Sequence, residues 1–182
     1  GMIYACVRFI KEWASPWTVI NFTLMGLSSG FAGAAIVAAI QNALLRDFLA
    51  GWAALFTLLA FAAKGITLWR NARLPAPFSL KSAIGVHHGL IRQLSQGFNG
   101  RSFNTVEFFT YISPEVKPWL VGLMLVFGFA APSALLLAGW SDRYLPALIA
   151  ALPLQYLGLL TERWLFFAEG QHVQNVYYQR KA

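Results

Sequence analysis

Long apolar runs, separated by short charged or proline-bearing stretches, dominate the chain. Four of them are long enough to cross a hydrocarbon core of about 30 Å as helices. They run from about Trp17 to Ile40, Phe48 to Trp69, Trp119 to Trp140 and Tyr144 to Phe167. The first and third contain no charged residue, the second contains Lys64, and the fourth contains Glu162 and Arg163 near its end. A helix on the surface of a water-soluble domain would show a polar stripe at helical spacing, and the first and third runs show none. The pattern predicts an all-α integral membrane bundle of four transmembrane helices, forming a single membrane domain over residues 1–182.

The connections set the topology. Gln41 to Asp47 and Ser141 to Arg143 are short and predict two helical hairpins. The stretch from about Arg70 to Pro118 is long and holds Pro75, Pro77, Pro114 and Pro118, so it continues neither neighbouring helix. Within it Leu80, Ile84, His87, Ile91, Leu94 and Phe98 recur at spacings of four and three, while Lys81, His88, Arg92, Gln93 and Gln96 fall elsewhere. This is one apolar stripe on a short amphipathic helix. It suits a helix lying in the headgroup layer, or a docking surface for a cytoplasmic partner formed by His87, Ile91, Leu94 and Phe98. Met2 to Glu12 is only half a span, and reads as an interfacial turn of helix or as the last turns of an earlier span.

Basic residues then orient the bundle. The N-terminus, the long connection and the C-terminus fall on one side. They carry Arg8, Lys11, Arg70, Arg73, Lys81, Arg92, Arg101, Lys117, Arg180 and Lys181, against Arg46 and Arg143 on the other side. The positive-inside rule makes the first side cytoplasmic. The expected location is therefore the cytoplasmic (inner) membrane, multi-pass, with both termini of this chain cytoplasmic. Composition agrees, since 58% of residues are apolar and only 12% charged, about half the charged share of a soluble domain. The net charge of +7 does not indicate a nucleic-acid partner. The basic residues flank apolar spans and are not clustered with exposed aromatics.

Candidate chemistry is sparse. The lone cysteine, Cys6, cannot ligate an iron–sulfur cluster, which takes about four. The three histidines, His87, His88 and His172, lie outside the spans, where they cannot grip a membrane haem. No metal site, nucleophile–base pair or phosphate-binding glycine loop is visible, so no catalytic residue is assigned. Gly26, Gly30 and Ala34, with Ser29 and Gly33 beside them, predict close helix packing. The residues with most to explain are the intramembrane charges, because an ionised group in lipid faces protein or water. Lys64 and Glu162 lie at matching depths and predict an interhelical pair, with Arg163 on the same carboxylate or snorkelling to the headgroups. These three are read either as a structural ion pair or as candidates for a quinone or proton site.

Three strings add a resemblance. TERWLFFAEGQHVQNVYYQ (161–179), MIYACVRFIKEWASPWTVINFTLMGLSSGF (2–31) and GFNGRSFNTVEFF (97–109) are similar to segments of one branch of the dimethyl sulfoxide reductase anchor-subunit family. The resemblance covers essentially the whole chain and includes no catalytic motif. It implies a membrane anchor subunit, itself non-catalytic and without its own redox cofactor. Such a subunit holds an iron–sulfur electron-transfer subunit and a molybdopterin catalytic subunit, and exchanges electrons with a quinone, menaquinol or ubiquinol, in the lipid bilayer. Family members are longer, so the chain resembles a C-terminal part. The early helices that carry the family's quinol residues have no counterpart here, and no quinol-site residue is transferred. The alternative is a small transporter or a structural multi-span membrane protein, although no internal repeat supports the former.

Overall fold

The structure is a computed structural model that describes residues 1–41, 43–75, 115–141 and 144–170, together with 79, 81, 85 and 88–91. A short helix, α1 (Met2–Ala5), leads through turns into α2 (Pro16–Gln41), and α3 (Ala43–Ala72) follows after one residue. The third span comprises α4 (Val116–Leu125), a π-helical turn (Val126–Ala130) and α5 (Ala131–Ser141); α6 (Leu145–Ala168) completes the bundle. Every secondary-structure element among the described residues is helical, and four helices are long and apolar enough to cross a membrane. The amphipathic segment falls largely outside the described residues: this is so for His87, Leu94 and Phe98, whereas Ile91 is described, half-buried and outside any helix.

Burial is inverted relative to a soluble protein. Along α2, Thr18, Asn21, Met25, Ser28, Ala32 and Ala35 are buried, at alternating spacings of three and four that define one helix face. Ile20, Leu27, Val37 and Ile40 project outward. This run does carry a polar stripe, contrary to expectation, and the stripe faces the bundle. Leu55, Leu58, Phe61, Leu123, Phe127, Ile149, Leu157 and Leu160 extend the apolar exterior over the other helices. Such a surface matches a lipid solvent, in which polar groups must be satisfied within the bundle.

Small residues bring the helices together. Ala32, Ala35, Ala50, Ala53, Ala54 and Ala151 form one core with Leu136 and Leu148. Met25, Ala60, Met124, Phe129 and Leu165 form another. Close approach of this kind drives helix association in lipid, where dispersion replaces the hydrophobic effect. The tightest crossing lies between Gly158 of α6 and the π-turn, where a Cβ on Gly158 would strike the backbone of Phe127 and Gly128. Pro132 follows this turn; it lacks an N–H, and its ring would press on the carbonyl four residues back in a regular α-helix. The wider turn accommodates both demands.

Two expectations change. The first hairpin is tighter than the pattern suggested, because α3 begins at Ala43 instead of near Phe48. Arg46 and Asp47 form an ion pair within the helix at 2.7 Å, which neutralises the charges that suggested a loop. The Gly26–Gly30–Ala34 ridge does not pack within this bundle, since all three residues are exposed and a Cβ on either glycine meets nothing within 4 Å. The neighbouring Gly33 faces Leu152 instead, at 3.9 Å from a built Cβ.

Candidate functional site

One end of the bundle is tied by side-chain bonds between elements distant in sequence. The Trp13 indole N–H donates to the Phe166 carbonyl at 2.8 Å. The Arg70 guanidinium donates to the Lys11 carbonyl at 3.0 Å, and Lys117 pairs with Glu169 at 3.2 Å. The segment before α2, the end of α3, the start of α4 and the end of α6 thus share one end, the grouping that the charge pattern required. Tyr4, Trp13, Phe22, Phe166 and Phe167 pack there with ring centroids 5.2–5.9 Å apart.

Beneath this aromatic cap lies the predicted ion pair. Lys64 Nζ donates to Glu162 Oε1 at 2.6 Å, and the two residues are only 4% and 1% exposed. Helical spacing places them there: Ala60, Lys64 and Thr67 lie on the inward face of α3, and Gly158, Glu162 and Leu165 on that of α6. Arg163 Nε donates to the other carboxylate oxygen, Oε2, at 2.5 Å. Its guanidinium lies 3.7 Å from the centroid of the Phe22 ring, a cation–π contact that holds a partly exposed cation against the cap. The three residues singled out in the sequence therefore meet around one carboxylate.

Sequence reasoning missed the groups beside them. Asn21 Nδ2 donates to Thr67 Oγ1 at 2.7 Å, and Thr67 donates onward to the Ala63 carbonyl at 2.8 Å. Glu12, on the turn before α2, is 9% exposed. Glu12, Asn21, Lys64, Thr67, Asn71, Glu162 and Arg163 line a cavity of about 20 Å³. That volume holds about one water. A second polar layer crosses the bundle nearer its middle. Gln155 Nε2 donates to Ser28 Oγ at 2.5 Å, Ser28 and Thr57 hydroxyls are 2.6 Å apart, and Thr57 donates to the Ala53 carbonyl. Isolated polar residues in otherwise apolar runs were the available signal for both layers.

Comparison with known proteins supplies one relative. The chain is 44% identical to the C-subunit of a sulfite dehydrogenase from Allochromatium vinosum. The match runs over 186 residues and takes in 100% of this chain. The chain spans 56% of that protein's length. Identity at this level over the whole chain makes it a homologue of a sulfite dehydrogenase subunit. No family model matches, and no solved structure matches. Among the described residues no group of three or more His, Cys, Asp or Glu is placed to hold a metal, and Cys6 is exposed.

Proposed function

We propose that this chain forms the membrane part of a quinone-linked oxidoreductase complex of the molybdopterin type, with sulfite as the electron donor. The observation that carries the reading is the 44% identity over the full chain to the sulfite dehydrogenase C-subunit. The four apolar helices support the anchoring role, and the likeness to dimethyl sulfoxide reductase anchors points to the same architecture. In this reading an iron–sulfur electron-transfer subunit and a molybdopterin catalytic subunit dock on the end that carries Arg8, Lys11, Arg70 and Lys117. Sulfite and water yield sulfate, two protons and two electrons, and a quinone takes up two electrons and two protons to become quinol. The chain holds its partners at the bilayer surface and provides groups for proton exchange. The one-water cavity beside Lys64, Glu162 and Arg163 supports a proton-handling role for them. The termini lie on the cytoplasmic side of the inner membrane, by the excess of Lys and Arg there.

The test is purification of the tagged protein from its native membrane in mild detergent, followed by protein identification and an assay of sulfite-dependent reduction of a soluble quinone analogue. Co-purification of an iron–sulfur subunit and a molybdopterin subunit, with quinone reduction in the assembled complex, is the expected result. A preparation that yields neither partner from a membrane expressing all neighbouring genes refutes the redox reading and leaves the transporter or structural alternative.

A further inference from the structure

The cavity beside the ion pair contains more polarity than the pair needs. Three buried atoms of its lining residues have no hydrogen-bond partner: Glu12 Oε2, Asn21 Oδ1 and Arg163 Nη1. Buried polar groups in folded proteins are almost always paired with protein or with ordered water. Two of these atoms accept hydrogen bonds and the third donates. A water molecule has the complementary set, with two hydrogens for the Glu12 and Asn21 oxygens and lone pairs for Arg163 and for a spare N–H of the Lys64 ammonium. The cavity is the size of one water, and Trp13, Phe22 and Phe166 complete its wall.

The charges around it have a direction. Glu162 faces two cations, Lys64 and Arg163, and Glu169 is paired with Lys117. Glu12 has no ion pair among the described residues, although it is 9% exposed. The titratable groups facing this space are Glu12 from the turn before α2, Lys64 from α3, and Glu162, Arg163 and Glu169 from α6 and its end. Asn71 and Glu169 also line it, from the last turn of α3 and the residue after α6, so its outer part lies at the end of the bundle.

We propose that the cavity is a hydrated proton-exchange site in which one water joins Glu12 to the Lys64–Glu162 pair. A proton leaves the Lys64 ammonium for the water as the water passes one of its own to the Glu12 carboxylate. Lys64 becomes the neutral amine, Glu12 the neutral acid, the water is unchanged, and Glu162 stays a carboxylate held by Arg163. The reverse transfer restores the Lys64–Glu162 pair. This route does not depend on the redox reading, so the two can fail separately.

The test uses the full chain in lipid nanodiscs. X-ray radiolysis converts bound water to hydroxyl radicals that label adjacent side chains. Phe22 and Phe166 are expected to be labelled at least fivefold more than Phe56 and Phe129, which lie away from the cavity. Asn21→Leu, which fills the space, should bring them down to that level. In a second measurement the Lys64 ammonium protons are followed by 15N NMR after transfer to heavy water. Their exchange should slow at least tenfold in Glu12→Gln and in Asn21→Leu, and stay unchanged in Ser28→Ala. Labelling of Phe22 and Phe166 no greater than that of Phe56, or unaltered Lys64 exchange in the variants, overturns the proposal. Should Glu12→Gln fail to fold, Asn21→Leu reads both measurements.

Discussion

Replacing Lys64 with Met keeps most of the side-chain volume and removes the ammonium that Glu162 accepts from at 2.6 Å. Both side chains are nearly inaccessible, at 5% and 1%, so bulk water does not reach the carboxylate to replace the lost partner. Breaking a buried pair by removing one member costs about 3–5 kcal/mol, because the remaining charge is stranded. Here Arg163 still donates to Glu162 Oε2 at 2.5 Å, which places the expected loss near the low end, about 3 kcal/mol. That corresponds to a shift of roughly 150-fold in the unfolding equilibrium. The double variant Lys64→Met with Glu162→Gln removes the stranded charge and should recover about 2 kcal/mol of the loss, a coupling within the range for residues in direct contact. The measurement is reversible unfolding in mixed micelles, followed by the fluorescence of the seven tryptophans. If the double variant is destabilised by the sum of the two single changes, the residues are not coupled and the argument from stranded charge fails.

Glycine substitutions should separate the packed and open faces. Gly158→Ala drives a Cβ into the backbone at Gly128 and should cost at least about 2 kcal/mol in the same unfolding assay, as overpacking does. Gly26→Ala and Gly30→Ala, which meet nothing within 4 Å, should be neutral or gain up to about 1 kcal/mol from helix propensity. Gln155→Leu removes donors to Ser28 and Thr57, which still bond each other. The expected loss is about 1 kcal/mol, near the average for polar contacts between membrane helices; a loss above about 3 kcal/mol would assign this layer a larger role than packing. Arg163→Lys keeps a cation but loses the planar contact with Phe22, and should lower stability by about 1 kcal/mol. A Phe22→Leu background should shrink that difference to what the Glu162 and Phe166 contacts contribute.

The four spans and the ion pair are readable in the sequence because charge is so costly in lipid. A lone Lys64 and Glu162 in long apolar windows, at matching depth, have few other places to go. Arg46 and Asp47 mislead for a related reason, since two opposite charges side by side cancel within a helix and need no loop. The ridge of Gly26, Gly30 and Ala34 is small, as its residues require, but it lies on the outer surface, because residue size does not say which face of a helix meets its neighbours. Glu12 and Asn21 stay hidden: one lies beyond the span and the other looks like an isolated polar residue. Their meeting with Lys64 depends on how the turn before α2 folds back under the aromatic cap, a long-range property absent from any local window.

Met124, Gly128, Pro132 and Leu136 are buried at successive intervals of four residues. On an unbroken α-helix each such interval advances about 40° beyond a full turn, and three of them would swing the row roughly 120° away from its partner. The wide turn at Val126–Ala130 absorbs about one residue and resets the phase, so both halves of the span address α6. A homologue one residue shorter in this stretch would therefore differ in helix type, with its topology intact, and a single gap at that point of an alignment would record a change of winding.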